Sequence, residues 1–198
     1  MTNLNFTNSE IRLTTAALAS VAALVPAAYF LLPKLKTLYD SHQESTRQQH
    51  LETFHSLLRA YSTLQPSSIS ALASPTFFTH TILPSSLEIP SRDLAPFTQH
   101  ATQIFSLFSS FQMIPQGTIH FAPGSDAVIA HCKMGGTVNG ESESGKKLVG
   151  GGLREWWTEC VLMVRMEEGG KRITEIREFV HSAKAEELKK RIMGVFEG

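Results

Sequence analysis

The sequence predicts an α+β domain, helices on one face of a curled antiparallel sheet, with a separate hydrophobic segment ahead of it. Three observations lead there. Leu51, Phe54, Leu57, Leu58, Tyr61 and Leu64 recur at three- and four-residue steps, the apolar stripe of a helix. Nearly everything after Phe111 falls into β-forming runs separated by turn residues. Helices that precede most of the strands, instead of alternating with them, point to the α+β class and not to a doubly wound sheet.

Taken in chain order, residues 13–33 form a run of 21 residues without a charge. As a helix it would reach roughly 30 Å, the thickness of a bilayer's hydrocarbon core. The sequence therefore predicts a membrane anchor within residues 1–36; the alternative is an Ala-rich helix packed on the domain. Lys34 and Lys36 follow the run, so the positive-inside rule leaves the main domain, 41–198, facing the cytosol. That domain opens on Ser41-His-Gln-Glu44, which has the spacing of a capping box, and continues into the Leu51–Leu64 stripe. Pro66 starts a second, short helix at residues 69–73. Residues 76–83, rich in β-formers between Pro75 and Pro84, read as a strand. Residues 92–111 read as a third helix with an aromatic face.

Residues 116–122 and 127–134 read as strands joined by the turn Pro123-Gly-Ser-Asp126. Residues 135–152 are a polar, glycine-rich connection, either a solvated loop or a lid. A long strand follows over 154–166, then a turn at Glu167-Glu-Gly-Gly-Lys171, a last strand and a charged helix. Apolar residues on both faces of the 159–166 run leave hydrophobic area on the outer side of the sheet, which predicts a homodimer.

Composition excludes some functions. Lys plus Arg and Asp plus Glu number 18 each, and the absence of a basic stripe argues against nucleic acid as a partner. Cys132 and Cys160, both in strand-like runs, behave as small hydrophobes of a reducing compartment. His and Cys are scattered singly, so no metal set is predicted, and Gly150-Gly-Gly152 lacks the Lys and Ser/Thr of a phosphate loop. No cofactor is expected.

The candidate chemistry lies in polar residues inside apolar strands. Ile176, Glu178 and Val180 point the same way, so Glu178 is a buried acid if that face is the core. His80 shares a face with Phe78 and Ile82, His131 with Ile129, and Glu159 with Val161 and Met163. Each has a plainer reading, a structural histidine for His80 and His131, an outer salt bridge to Arg177 for Glu159. Taken as acid–base residues, His80, His131, Glu159 and Glu178 converge on one cavity, with a carboxylate whose pKa burial raises. Tyr61, Phe78, Phe108, Trp156 and His181 are the candidates for contact with a hydrophobic small-molecule substrate, Tyr61 being alternatively a core residue. Cys132 and His131 face opposite sides of one strand, which argues against a Cys–His pair.

Five segments, in order, resemble the SnoaL-like, or nuclear transport factor 2-like, superfamily, and most of all its small secondary-metabolism proteins of filamentous fungi. They are His80-Thr-Ile-Leu-Pro-Ser-Ser-Leu87, Ile104-Phe-Ser-Leu-Phe-Ser-Ser-Phe111, Val128-Ile-Ala-His-Cys132, Glu159-Cys-Val-Leu-Met163 and Glu178-Phe-Val-His-Ser182. In the last, His181 stands where the family has Asp. The resemblance implies a cone, a bent antiparallel sheet around three helices, enclosing a cavity for hydrophobic molecules. It also implies cofactor-independent proton transfer, as an isomerase, cyclase or dehydratase acting on a polyketide or terpenoid intermediate. Other members of the superfamily only bind ligands or dimerise, so the alternative is a non-catalytic binding or interaction module.

Overall fold

The stripe from Leu51 to Tyr61 forms a helix, as its spacing predicts, and that helix is the last part of α1 (Asn8–Ser62). Phe54 and Leu57 on it are fully buried; such a side chain contributes about 1.5–3 kcal/mol when taken out of water. The computed structural model describes the backbone of residues 8–196 and the side chains of residues 34–194. The chain divides into two compact units, Met1–Ser45 and Thr46–Gly198.

Two expectations for the first unit are corrected. Among the described residues no helix is long and apolar enough to cross a membrane. The anchor read from residues 13–33, and the cytosol-facing localisation built on it, are therefore withdrawn; the side chains of that run lie outside the described residues. Nor does a helix begin at Ser41: α1 passes through it, and the Ser41 hydroxyl donates to the Leu38 carbonyl at 2.9 Å. A mid-helix serine commonly bonds back in this way, with no cap involved.

In the second unit, α2 (Pro66–Ser70) leads to β1 (Thr79–Leu83) and α3 (Leu94–Ser106). Then come β2 (Phe108–Pro115), β3 (His120–Ala122), β4 (Ala127–Val138), α4 (Glu143–Gly150), β5 (Glu155–Met166), β6 (Ile173–Val180) and α5 (Ser182–Phe196). The strands form one six-stranded sheet in the order β1-β6-β5-β4-β2, with β3 also on β4. This α+β arrangement has the bent sheet and helices of a cone-shaped fold.

The sheet is not wholly antiparallel. β1 runs parallel to β6, with His80 opposite Ile176 and Ile82 opposite Glu178. A parallel pair needs a long crossover, and the chain between them supplies α3 and the four other strands. The third helix ends at Ser106 instead of continuing to Phe111, and Phe108 opens a strand on β4. Ile104, Phe105, Phe108 and Phe111 satisfy the helical period, but tertiary pairing overrides it. Part of the glycine-rich connection is ordered structure: residues 135–138 extend β4, and the Ser142 hydroxyl accepts from Gly145 N at 3.1 Å to cap α4. Buried Leu148 anchors that helix, and none of its residues lines the cavity described below.

Candidate active site

Alternation along β6 turns Ile176, Glu178 and Val180 to the buried face and leaves Arg177 and Phe179 exposed. From the last turn of α1, the Tyr61 hydroxyl donates to Glu178 Oε1 at 2.8 Å. From the neighbouring strand β1, His80 Nε2 lies 3.4 Å from the same oxygen, with the two side chains only 4% and 9% exposed. That separation is long for a hydrogen bond, so the contact is chiefly electrostatic. Among the described residues Oε2 of Glu178 has no protein partner.

Burial alone would push the Glu178 carboxyl up. The close electrostatic contact with His80, the Tyr61 hydroxyl and the charge of His100 outweigh it, and the pKa lies below the usual glutamate value. The expected raised carboxylate is thus corrected: Glu178 stays ionised. Tyr61 moves the other way, far above the ordinary phenol value, through burial and then the charge of Glu178, so it remains a donor. Burial, with Glu178 next, also pushes the Cys132 thiol up to about 11 and the Cys160 thiol higher still, which removes both as thiolate nucleophiles.

These groups form one wall of a cavity of about 340 Å³. Its apolar side carries Phe97, Phe105 and Ala101 from α3, Phe108 and Phe111 from β2, and Trp156 from β5. Arg92 and His100 also belong to the polar side, as do the more exposed Glu88 and Lys189. The volume is at the lower end for small-molecule sites, and an apolar lining with a few convergent polar groups is typical of them.

The backbone around this cavity resembles several solved structures. A pinacolase, BvnE, from Penicillium brevicompactum superposes with a TM-score of 0.64 at 12% identity, over 74% of this chain and 92% of that one. AusH from Aspergillus nidulans gives 0.58 at 19% identity, over 69% and 86%. A protein from a Jannaschia species, described as a SnoaL-like polyketide cyclase, gives 0.53 at 14% identity, over 73% and 92%. The chain has the SnoaL-like fold. No family model matches the sequence, and no curated protein matches it.

Within this SnoaL-like cone the predicted residues separate into two groups. His80, Glu178, Tyr61, Phe108 and Trp156 line the cavity. His131 and Glu159 do not. They form a 3.3 Å pair on the outer face of the sheet, with side chains 47% and 70% exposed. Buried Cys132 and Cys160, opposite each other in the β4–β5 register, take the inner positions and turn their neighbours out. The partner of Glu159 is therefore His131 and not Arg177, which pairs with Glu175 at 2.7 Å. Phe78 is buried behind the wall, its ring 5.3 Å from that of Phe97. His181 is exposed at the end of β6, where Nδ1 accepts from Lys184 N at 3.4 Å and caps α5. Trp157 faces out, under the Lys133 ammonium at 5.0 Å.

Two residues of this cavity, Arg92 and His100, are absent from the candidate site residues read from the sequence. His100 was legible, since it follows Phe97 by three and precedes Ile104 by four on the apolar stripe of α3. Burial, then the charges of Arg92 and His80, lower its pKa from 6.5 to about 4 despite Glu178. A histidine lowered on folding stays neutral in the native state while the unfolded chain takes up protons. Its contribution to stability is complete above pH 6.5 and declines toward pH 4. The lowered Glu178 acts in the same direction, its contribution being lost as pH falls through its folded pKa. The melting temperature should therefore fall on acidification from pH 6.5 to 4, and His100→Gln should flatten that fall. An identical slope in the variant refutes the assignment.

Proposed function

We propose that this protein is a cofactor-independent isomerase, cyclase or dehydratase that moves a proton on a hydrophobic polyketide or terpenoid intermediate of secondary metabolism. The observation that carries this reading is Glu178. It is a buried, ionised carboxylate on the wall of an apolar cavity, with Oε1 held by Tyr61 and, among the described residues, no protein partner on Oε2. Such a group accepts a proton from a substrate C–H bond and returns it at another carbon or to a departing oxygen, so the proton balance closes within the site. Tyr61 orients the carboxylate, and His80 offsets the negative charge that burial would otherwise disfavour. The wall around these groups is largely aromatic, and a low-dielectric surround strengthens each electrostatic contact. Structural likeness to proteins described as a pinacolase and a SnoaL-like polyketide cyclase supports the reaction class without choosing a substrate.

The second reading is a ligand carrier or dimeric module. It is favoured by the lowered pKa of Glu178, which makes a weaker base, and by the outward placement of His131 and Glu159. Incubation with polyketide and terpenoid intermediates in D2O separates the two. Deuterium entering a carbon position of substrate or product is expected of the enzyme, and saturable binding without exchange would leave only the carrier.

The outer sheet face exposes Ile114, Val161 and Phe179 on β2, β5 and β6. We infer a homodimer through this face, because apolar strand positions of this kind are otherwise left in water. Sedimentation equilibrium should show a dimer at micromolar concentration, and Phe179→Glu should dissociate it; a purely monomeric wild type would rule the interface out.

A further inference from the structure

The sequence places Arg92 at the start of the third helix; α3 begins only at Leu94, and Arg92 lies just ahead of it in a closely determined position. Its backbone N donates to the His80 carbonyl at 2.9 Å, and its carbonyl accepts from His80 N at 2.8 Å. This reciprocal antiparallel bridge sets the two residues directly opposite each other. Residues so paired are about 5.5 Å apart at Cα and send their side chains to the same side. His80 faces the cavity, and Arg92 lines it too.

The guanidinium is half-buried and poorly used. Among the described residues its one hydrogen bond goes to the Pro90 carbonyl at 3.2 Å, and no carboxylate comes within ion-pair distance. Glu178, in the same cavity, is engaged by Tyr61 and His80. Glu88, also on the wall, is exposed to solvent. Lys189 at the same wall donates to the Leu87 carbonyl at 3.3 Å and is solvent-exposed. Burial lowers the Arg92 pKa although the charge of Glu178, acting without an ion pair, raises it, which marks the cost of holding this charge against an apolar wall. A guanidinium with open donors in such a place has the geometry to take a planar anion bidentately.

We propose that Arg92 is a substrate-anchoring residue and that the cavity takes a hydrophobic carboxylic acid. The carboxylate lies on Arg92 while the carbon skeleton packs on Phe97, Phe105 and Phe108. The bridge to His80 then keeps the anchored group and the Glu178 carboxylate within the length of one small molecule. This substrate class rests on the proton-transfer reading for its purpose, but the anchor itself is a property of binding and is tested as one.

The full chain is titrated at pH 7 with 2-naphthylacetate and with the neutral 2-naphthaleneethanol, followed by calorimetry. The acid should bind roughly tenfold or more tightly than the alcohol, the margin of one charge-assisted hydrogen bond. Arg92→Gln should bring the two affinities within about twofold, and Arg92→Lys should keep part of the preference, as a point charge without the fork. Glu178→Gln should retain the acid preference. Equal affinities in the wild type, or a preference that survives Arg92→Gln, would overturn the anchor. Acid-selective binding without deuterium exchange into any substrate would leave the anchor standing and remove the catalytic reading. Binding of neither probe overturns the anchor and leaves the catalytic reading to the deuterium exchange.

Discussion

Replacing Glu178 with Gln is expected to lower turnover by roughly 100-fold or more while the protein remains folded, the usual loss when a positioned acid or base is removed. Glutamine keeps the shape and still accepts the Tyr61 hydrogen bond at the position of Oε1, but it cannot take a proton. Glu159→Gln is the matched control. Its side chain is 70% exposed on the outer face beside His131, so turnover should not change. The pH profile adds a signed test. Because Glu178 is held below the ordinary glutamate value, the acid limb of kcat/KM should lie below that value too. Tyr61→Phe removes one of the interactions that lower it, so the limb should move to higher pH. Unaltered turnover in Glu178→Gln, or equal losses in both Gln variants, would remove Glu178 as the base.

Gly136→Ala should be strongly destabilising. A Cβ built on Gly136 would sit 1.8 Å from the Ser110 carbonyl oxygen, and the atoms in the way are backbone, not a flexible side chain. Gly136 pairs with Phe111 on one side and Trp156 on the other, at the crossing of β2, β4 and β5. Relief of the overlap would have to shift a strand that carries part of the cavity wall. A loss of about 3 kcal/mol or more follows, at the upper end for overpacking. In a chain of this size that lowers the melting temperature by roughly 6–12 °C. Gly150→Ala, where a Cβ meets nothing within 4 Å, is the control and should be nearly neutral. A Gly136→Ala protein that melts with the wild type would show that the three strands can separate freely here.

Local pattern made much of the fold legible. The helix from Leu51 onward, the long strands β4 and β5 and the inward turn of Glu178 all follow from periods that a few residues set by themselves. The outward turn of His131 and Glu159 was open to the same treatment. Cys132 and Cys160 are small hydrophobes beside them, and giving the cysteines the core reverses the faces assigned to the polar pair. The aromatic run at residues 104–111 was not open to it, since its spacing fits a helix throughout and only the pairing of β2 with β4 divides it.

Residue pattern along the chain is enough for the class of the domain, the positions of most elements and the burial of one carboxylate between Ile176 and Val180. The tertiary structure alone decided what that carboxylate is. The parallel pairing of β1 with β6 brings His80 to Glu178, a bridge to the loop before α3 brings Arg92, and the end of α1 brings Tyr61. The sign of the Glu178 pKa shift turns on those neighbours. Desolvation is set by burial and can be read from alternation, whereas the opposing charges and hydrogen bonds come from residues far apart in sequence. Periodicity records which side of a strand a residue faces; strand order and register decide what it meets there.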